Sequence, residues 1–299
     1  MKKARIVSFA LLILISLISL TYYLANHTSG TAKIKISTNP WVGFAPFMYA
    51  QEKGWLENTP FEFLWLVDLS DNARMYERGF TQGFTATQYE LLHLKEGNRL
   101  QPAFLIDRSF GADAVVSNKS LSEIRNSSSI IDVYLEQGSL NDDFFDAFVK
   151  EHRLDPSKFR KVDATQKSIA TLQLSSKPIL ILSYQPYLSG LLKKGFHPVA
   201  STRTMDTFFV IDALFVKESL LQERKDDFQE LKEIYHLALT QLKSNPKEFY
   251  STVEGYLEGQ SYEEFLFTTT QLQWLDQNNS DKLITHLNQQ NIKTDRLLP

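Results

Sequence analysis

The sequence predicts an α/β fold, because strand-like and helix-like segments alternate along most of its 299 residues. Each short apolar or alternating run is followed by an amphipathic one, an order typical of mainly parallel sheets flanked by helices. Residues 72–107 and 165–202 also share one order: helix, short strand, helix, glycine and strand. This repeat favours two lobes of similar topology, although two ordinary α/β units could share the order by coincidence. From residue 219 on, the pattern predicts a helical C-terminal tail.

The individual elements are placed by periodicity and by signals at helix ends. Strand candidates are residues 33–37, 61–67, 83–86, 102–106, 112–117, 130–135, 178–184 and 208–216. Helix candidates are residues 45–52, 71–78, 88–95, 139–149, 165–174, 186–194, 261–275 and 281–289, with a further helix starting at Pro246. Gly54, Gly97 and Gly195 follow three of these helices, as helix-ending glycines do. Ser139 is a suitable N-cap for the helix after it.

The first 32 residues have the layout of an export signal. Three basic residues within the first five precede an apolar run at residues 6–24. A cleavage site fits after Ala25 or after Ala32, and an uncleaved run of this length would instead anchor the chain in a membrane. In both cases the positive charges place the N-terminus in the cytoplasm and the rest of the chain outside.

Composition limits the classes of function. Beyond residue 32 the chain carries 29 basic and 35 acidic residues, a net charge of −6. This acidic balance argues against nucleic acid as a partner and leaves no basic patch for anionic lipid. The chain has no Cys, which excludes disulfides, thiolate chemistry and lipid attachment to Cys.

Sequence motifs for catalysis or metal binding are not found. The six histidines show no metal-ligand spacing, and the chain has no GxSxG, GxGxxG or glycine-rich phosphate loop. Acidic pairs such as Asp142-Asp143 lie in polar helical surroundings typical of solvated surfaces. We therefore expect no metal, no cofactor and no catalytic residues, and the absence of motifs lowers the odds of an enzyme.

Polar and aromatic residues occur at the predicted carboxyl ends of the strands, where open α/β sheets bind ligands. They are Asn39 to Trp41, Ser70 with Asn72, Thr85 with Thr87, Asp107 with Ser109, Gly138 with Ser139, and Tyr184 with Gln185. Any one of these groups is weak evidence for a site, because turns favour the same residue types. Six such groups, each at the end of a predicted strand, favour a small-molecule site.

Residues 33–57, KIKISTNPWVGFAPFMYAQEKGWLE, resemble the opening of periplasmic substrate-binding proteins of the nitrate/sulfonate/taurine (thiamine-pyrimidine-synthesis-like) family. That family opens with a strand, a Pro-Trp-x-Gly-Tyr-Ala-Pro-like loop and a helix ending at glycine. Residues 105–116, 183–190 and 245–250 (LIDRSFGADAVV, SYQPYLSG and NPKEFY) resemble three further family stretches, in the expected order. The sequence departs from the family in its short strands and at Tyr184-Gln185, where the family has Trp-Glu.

The resemblance implies a two-lobed periplasmic-binding-protein fold of type II. Residues 33–110 and 204–299 would form lobe one, residues 111–203 lobe two, and residues 1–32 a signal peptide or membrane anchor. The lobes would close on a ligand by hinge motion. The implied partners are a small molecule and the membrane permease of an ABC transporter. The chain would be a periplasmic monomer, soluble or tethered to the inner membrane through residues 6–24.

The expected site combines apolar walls with a few directed polar groups, as binding sites require. We expect walls from Trp41, Phe44 and Tyr187, and orientation from Ser70, Asn72, Thr85, Asp107, Ser139 and Gln185. Spacing alone also allows a different interpretation, in which the aromatic residues are core and Asp107 is a turn residue that binds backbone.

The charges near this site bear on the ligand class. A sulfonate or nitrate would need Arg, Lys or a free helix N-terminus, and Arg108 and Arg203 are the nearest basic candidates. Asp142 and Asp143 follow the N-cap Ser139 and would oppose an anion there. We therefore expect a neutral or weakly cationic heteroaromatic or amine-bearing metabolite.

Three functions remain open at this point. The first is an extracytoplasmic solute-binding protein for an ABC importer. The second is a membrane-tethered binding protein that reports ligand occupancy to a receptor or kinase, which the poor cleavage sites keep open. The third, an enzyme similar to pyrimidine-precursor synthases of this fold, is weakened by the lack of Cys. The mass of the mature protein separates the first two, because only a cleaved signal is lost.

Overall fold

The structure is a computed structural model that describes residues 33–66, 69–205, 207–275 and 280–298, with the side chains of residues 69 and 70 excepted. The predicted export segment, residues 1–32, lies outside this description. Residues from Ile34 onward belong to one compact unit that carries both sheets described below.

The strands of the described residues form two sheets. The first sheet comprises β1 (Ile34–Thr38), β2 (Phe61–Trp65), β3 (Gly83–Thr87), β4 (Leu100–Ser109), β10 (Ile211–Lys217) and β11 (Leu272–Trp274), in the order β11-β4-β10-β3-β1-β2. The second comprises β5 (Asp113–Ser117), β6 (Ile131–Leu135), β7 (Phe159–Asp163), β8 (Ile179–Tyr184) and β9 (His197–Ser201), in the order β7-β6-β8-β5-β9. The chain passes from the first sheet to the second after β4 and returns before β10.

Helices flank both sheets, which confirms the predicted α/β fold. They are α1 (Ala45–Glu52), α2 (Leu69–Glu77), α3 (Gln88–His93), α4 (Leu121–Asn126), α5 (Leu140–Glu151), α6 (Gln166–Ile169), α7 (Tyr187–Lys193), α8 (Glu218–Glu223), α9 (Lys225–Ser244), α10 (Pro246–Val253), α11 (Tyr262–Thr269) and α12 (Asp281–Gln289). Side-chain caps begin several of them, including Ser139 for α5 and capping boxes for α3 and α4.

The sheets are mixed, so the prediction that they are mainly parallel was wrong in that detail. β1 is parallel to β2 and β3, and β6 is parallel to β7 and β8. The strands next to the two crossovers, β4, β5 and β10, run antiparallel to their neighbours. Alternation of strands and helices predicts only the parallel units, whereas a strand that carries the chain between sheets takes the direction that the crossover imposes.

The helical tail also contains one strand that the periodicity did not predict. The expected helix at residues 261–275 ends at Thr269, and Leu272–Trp274 pairs with the end of β4. Three residues of pairing leave too short a pattern for period-two alternation to be recognised.

Aromatic packing fixes α1 against the first sheet. Phe47 is fully buried and stacks on Phe63 at 4.7 Å between ring centroids, while Tyr49 stacks on Phe249 of α10 at 4.6 Å. The short 3-10 turn Val42–Phe44 joins β1 to α1 and is also buried. This packing holds the loop after β1 in a defined position, at the end of the sheet that faces the second sheet.

Candidate functional site

Two adjoining cavities lie between the two sheets and share Leu140 and Tyr184 in their walls. The inner cavity has a volume of about 20 Å³ and is lined by Asn39, Trp41, Thr87, Asp113, Leu140, Tyr184, Val210 and Asp212. The outer cavity has a volume of about 310 Å³ and is lined by Arg74, Glu90, Glu136, Gln137, Ser139, Leu140, Asn141, Asp163, Ala164, Thr165 and Tyr184. We call the two together the cleft. The outer volume alone is in the range of small-molecule sites.

Two aromatic side chains contact each other in the wall of the inner cavity. Trp41 follows β1 and Tyr184 ends β8, and their rings meet edge to face with centroids 6.4 Å apart. Trp41 is 9% exposed, and its Nε1 has no hydrogen-bond partner among the described residues. A buried indole N–H without a partner is a donor that a ligand can use.

A buried polar network supports the loop that carries Trp41. Asn72 Nδ2 donates to Asn39 Oδ1 at 2.9 Å and to the Thr85 carbonyl at 3.0 Å. The hydroxyls of Thr38 and Thr85 lie 2.7 Å apart across β1 and β3. Asn72 and Thr85 are fully buried behind the cavity wall, so they position Asn39 rather than line the cleft.

Three aspartates, here called the acid cluster, lie at the inner end of the cleft. Asp107 and Asp212 are direct partners across the antiparallel pair β4 and β10, and Asp113 begins β5. All three are buried, and Asp107 Oδ1, Asp107 Oδ2 and Asp212 Oδ1 have no hydrogen-bond partner among the described residues. Like charges directly opposite each other destabilise a sheet. The arrangement therefore favours shared protons or a cation.

Burial raises the pKa of each member of the acid cluster. For Asp113 the pKa rises to about 7, opposed by a hydrogen bond from Ser109. For Asp107 and Asp212 burial is again the main cause. The neighbouring negative charges raise the pKa of Asp212 further, whereas for Asp107 the approach of Asp212 opposes the rise and the charge of Asp113 adds to it. Trp41 approaches Asp107 closely enough to oppose this rise in its pKa, although without full hydrogen-bond geometry. Below neutral pH the cluster is therefore largely protonated.

Glu90 connects the two sides of the cleft. Its Oε1 accepts a hydrogen bond from the backbone N–H of Leu140, at the start of α5, at 3.0 Å. Its other oxygen completes the capping box of α3 with Thr87. A helix N-terminus attracts anions because its first amides lack partners. Here a carboxylate of the protein itself occupies that position on α5.

Replacement of Glu90 by Ala is expected to lower stability and to create an anion site. The buried Leu140 N–H and the capping box would lose their acceptor, a cost of about 2 kcal/mol. Thermal unfolding with and without sodium sulfate measures both effects, since sulfate should stabilise the variant more than the parent. Glu123→Ala is the matched control, because Glu123 forms an equivalent capping box on α4 at an exposed position. An equal sulfate response of the two variants would contradict the assignment.

The structure brings some of the predicted residues to the cleft and leaves others away from it. Trp41 and Ser139 line it, and Asp107 lies beside Asp212 as its partner across β4 and β10. Phe44, expected on the ligand side, is fully buried in the core of the first sheet. The side chain of Ser70 lies outside the described residues.

Two further predicted residues come directly after Tyr184 in the sequence or within three residues of it. The Gln185 side chain accepts a hydrogen bond from Ser189 at 2.7 Å and is buried. Tyr187 lies at the rim, 5.8 Å from Tyr184 ring to ring, and its hydroxyl donates to Glu258 at 3.0 Å. This bond joins α7, which covers the second sheet, to the helical tail.

Asp212 and Glu90 were not among the predicted site residues. For Asp212 a signal was available, because it is the one charged residue within the apolar run FFVIDALFV at residues 208–216. A charge inside an apolar strand needs a partner or a function. For Glu90 the sequence shows only a capping box, and its contact with Leu140 depends on the tertiary structure.

A larger cavity lies elsewhere, near the start of β3 and the end of β10. Its volume is about 670 Å³, and its walls include Tyr76, Lys95, Lys217 and Glu223. We place the site in the smaller cleft, because the partnerless buried groups of Trp41 and Asp212 are found there.

No group of three or more His, Asp or Glu side chains within the described residues is arranged to hold a metal ion. None of the helices described is both long enough and apolar enough to cross a membrane.

Solved structures of several proteins are similar to this chain. The alkanesulfonate-binding protein SsuA from Xanthomonas axonopodis pv. citri, bound to MOPS, has a TM-score of 0.68 at 11% identity, over 91% of this chain and 97% of its own. The ligand-binding component of an ABC-type import system from Staphylococcus aureus, with zinc bound, has a TM-score of 0.68 at 14% identity, over 90% and 97%. The desulfurization enzyme DSZB has a TM-score of 0.61 at 13% identity, over 87% and 91%.

No protein-family model matches the sequence, nor does any curated protein sequence. At 9–14% identity the likeness to solved structures concerns the fold and not the ligand. Three of the similar structures are ligand-binding or sulfonate-binding proteins, one of them a component of an ABC-type import system, and a fourth is a desulfurization enzyme. With two mixed sheets flanked by helices and a cleft between them, the chain has the periplasmic-binding-protein fold.

Proposed function

We propose that this protein is an extracytoplasmic solute-binding protein, which captures a small metabolite in the cleft and delivers it to the membrane permease of an ABC importer. The observation that carries the proposal is the cleft itself. Its walls come from both sheets and combine two facing aromatic rings with buried polar groups that lack partners. That mixture is what small-molecule sites require. The export-type N-terminus supports a location outside the cytoplasmic membrane.

Closure of the cleft would involve two rigid lobes, residues 33–110 with 204–299, and residues 111–203. Each lobe carries its own sheet, which supports this division, and surface contacts bridge the two. They include Lys167 with Glu258 at 3.0 Å, Lys193 with Glu264 at 2.7 Å and His93 with Asp143 at 2.9 Å. These ion pairs are at the surface and weak one by one, so they can break and form again as the lobes move.

The hinge between the lobes would lie at the two crossovers. Ser109 and Thr202 approach there, with their hydroxyls 2.7 Å apart, and Thr202 also accepts from the Gly111 N–H at 2.9 Å. Ser109 ends β4 and Thr202 follows β9, so one side chain from each crossover meets the other. Such element-end residues are where hinge motion is usually absorbed.

The hydrogen bonds of the hydroxyl groups in the cleft favour a binding protein over an enzyme. The aliphatic hydroxyls of the lining belong to Thr87, Ser139 and Thr165, and each caps a helix by accepting a backbone N–H. A nucleophile needs a base that takes its proton and a free path to the substrate. These three hydroxyls are engaged in capping, and the carboxylate that Thr87 contacts, Glu90, already accepts from the Leu140 N–H and completes the same cap.

Replacement of Trp41 by Ala tests the proposed function. We expect at least tenfold weaker binding of the solute that the purified protein retains, identified by native mass spectrometry, because the ring forms one wall of the inner cavity. Isothermal titration calorimetry measures the affinity. The matched control is Trp55→Ala, since Trp55 packs on Tyr49 away from the cleft. Loss of affinity in the control but not in Trp41→Ala would place the site elsewhere.

A further inference from the structure

The acid cluster and its surroundings point to a ligand class. We propose that the solute of the cleft is a small organic cation, an amine with an apolar or aromatic body, held by Asp212 and Asp113. Binding of this cation releases protons from the acid cluster to the solvent. The inference rests on the proposed solute-binding function and deepens it by naming the charge of the solute.

The acids of this cluster lack a basic partner among the described residues. No ion pair joins Asp107, Asp113 or Asp212 to Lys, Arg or His within the described residues. Arg108, next in sequence to Asp107, lies over the ring of Phe209 at 4.2 Å. Buried carboxylates without partners are costly. A cation from outside would therefore be strongly favoured at this point.

Two of these acids lie where a ligand in the cleft would contact them. Asp113 and Asp212 both line the inner cavity, on whose walls lie Trp41 and Tyr184. Asp212 is 2% exposed, and its Oδ1 has no hydrogen-bond partner among the described residues. An ammonium group at this place would meet carboxylates, which attract cations, and aromatic side chains, whose ring faces attract cations as well.

Backbone donors that an anion would need are already occupied by the protein's own carboxylates. Glu90 accepts from the Leu140 N–H, Asp163 from the Gln137 N–H and Glu136 from the Gln166 N–H, all at 3.0 Å. Arg74 is the one basic residue in the described lining, and it pairs with Asp71 at 3.0 Å. The cleft thus has hydrogen-bond acceptors for a cation but few free donors for an anion.

The inner cavity of about 20 Å³ holds about one water, so the amine must enter by separation of the two sides. The charged or titratable groups that face Asp212 are Asp107 from β4, Asp113 from β5 and Glu90 from α3. Burial keeps protons on the acid cluster when no ligand is bound. Since the cation favours the ionised acids, its affinity must rise as the pH rises.

Calorimetry with matched probes tests this inference on the full-length protein. Phenethylamine is the cationic probe, 2-phenylethanol the neutral one and 3-phenylpropanoate the anionic one. We expect phenethylamine to bind at least tenfold more tightly than the other two, with an affinity that rises up to tenfold per pH unit between pH 6 and pH 8 for one proton released. Titrations in two buffers of different ionisation enthalpy count the protons.

Variants connect the expected binding to the acid cluster. Asp212→Asn should lose at least tenfold in affinity for phenethylamine and most of the proton release, while Asp226→Asn, at an exposed position on α9, should change neither. Retention of amine binding by Asp212→Asn would overturn the inference. So would stabilisation by Zn²⁺ or Ca²⁺ that Asp212→Asn abolishes, because the acids would then hold a metal.

The remaining outcomes separate this inference from the proposed function. If the alcohol or the carboxylate binds best and Trp41→Ala removes that binding, the cation class fails and the solute-binding function stands. If no probe binds at pH 8, the cation class is overturned, and a retained neutral or anionic solute would still support solute binding. If no probe binds and no solute is retained, both proposals fail.

Discussion

Replacement of Asp107 by Asn is expected to raise the melting temperature of the ligand-free protein at pH 8 and to change it little at pH 5. Burial raises the pKa of Asp107 and Asp212, and raises that of Asp113 to about 7. An unfolded Asp ionises near pH 3.9. Between about pH 4 and pH 7 the folded chain therefore holds protons that the unfolded chain has lost, and stability falls as the pH rises.

The size of this effect follows from proton linkage. Each acid that stays protonated only in the folded state lowers stability by about 1.4 kcal/mol per pH unit. Asn has the shape of the protonated acid and can donate to Asp212. The variant therefore avoids the loss of stability that the ionisation of Asp107 causes in the parent protein. One kcal/mol corresponds to roughly 2–4 °C in a domain of this size, and we expect a rise of several degrees at pH 8.

Thermal unfolding of both proteins from pH 5 to pH 8 measures the effect. Asp226→Asn is the control, because it removes the same charge from an exposed position. The interpretation of the acid cluster would be wrong if the stability of the parent protein rose over this pH range, or if the control variant gained as much as Asp107→Asn.

Replacement of Gly43 by Ala is expected to be the most disruptive change at the cleft. A Cβ at Gly43 would overlap Asp107 Oδ2 and would lie 2.7 Å from Trp41 Nε1. The Gly43 carbonyl also accepts a hydrogen bond from Tyr235 at 2.9 Å, which holds the backbone in place. Overpacking at such a site costs about 1–3 kcal/mol, and displacement of Trp41 should weaken solute binding as well.

Gly190→Ala is the matched control for this substitution. Gly190 lies within α7 with open space around it, so the added methyl group should stabilise that helix by about 0.5–1 kcal/mol. Chemical unfolding of the single variants and of Gly43→Ala with Asp107→Ala completes the measurement. Removal of the overlapping carboxyl should recover part of the loss. Equal losses with and without Asp107 would show that the close approach is not the cause.

The sequence predicted the elements of the fold better than it predicted the site. The Pro-Trp segment after β1 led to Trp41, because an aromatic residue at a strand end is visible in the sequence alone. Phe44, three residues on, was expected beside it. The 3-10 turn Val42–Phe44 instead directs that ring into the core. The backbone angles of this turn decide whether the Phe44 ring points to the cleft or to the core, and composition does not encode those angles.

The acid cluster illustrates a second limit. Asp107 and Asp212 are far apart in the sequence, and they become neighbours only through the antiparallel pairing of β4 with β10. A shift of one residue in that register would turn one carboxyl to the opposite face of the sheet. Patterns within each strand contain no information about the register between strands joined by a long crossover.

By itself the sequence determined the alternation of strands and helices, the acidic balance of the chain and the aromatic loop after β1, because each depends on residues close together in the chain. Only the tertiary structure decided that the sheets are mixed, that Glu90 caps α5 from the opposite side of the cleft, and that three aspartates meet near Trp41. These features depend on long-range pairing and burial. Such pairing and burial set the charge of the cleft, and the charge of the cleft underlies our proposal of a cationic solute.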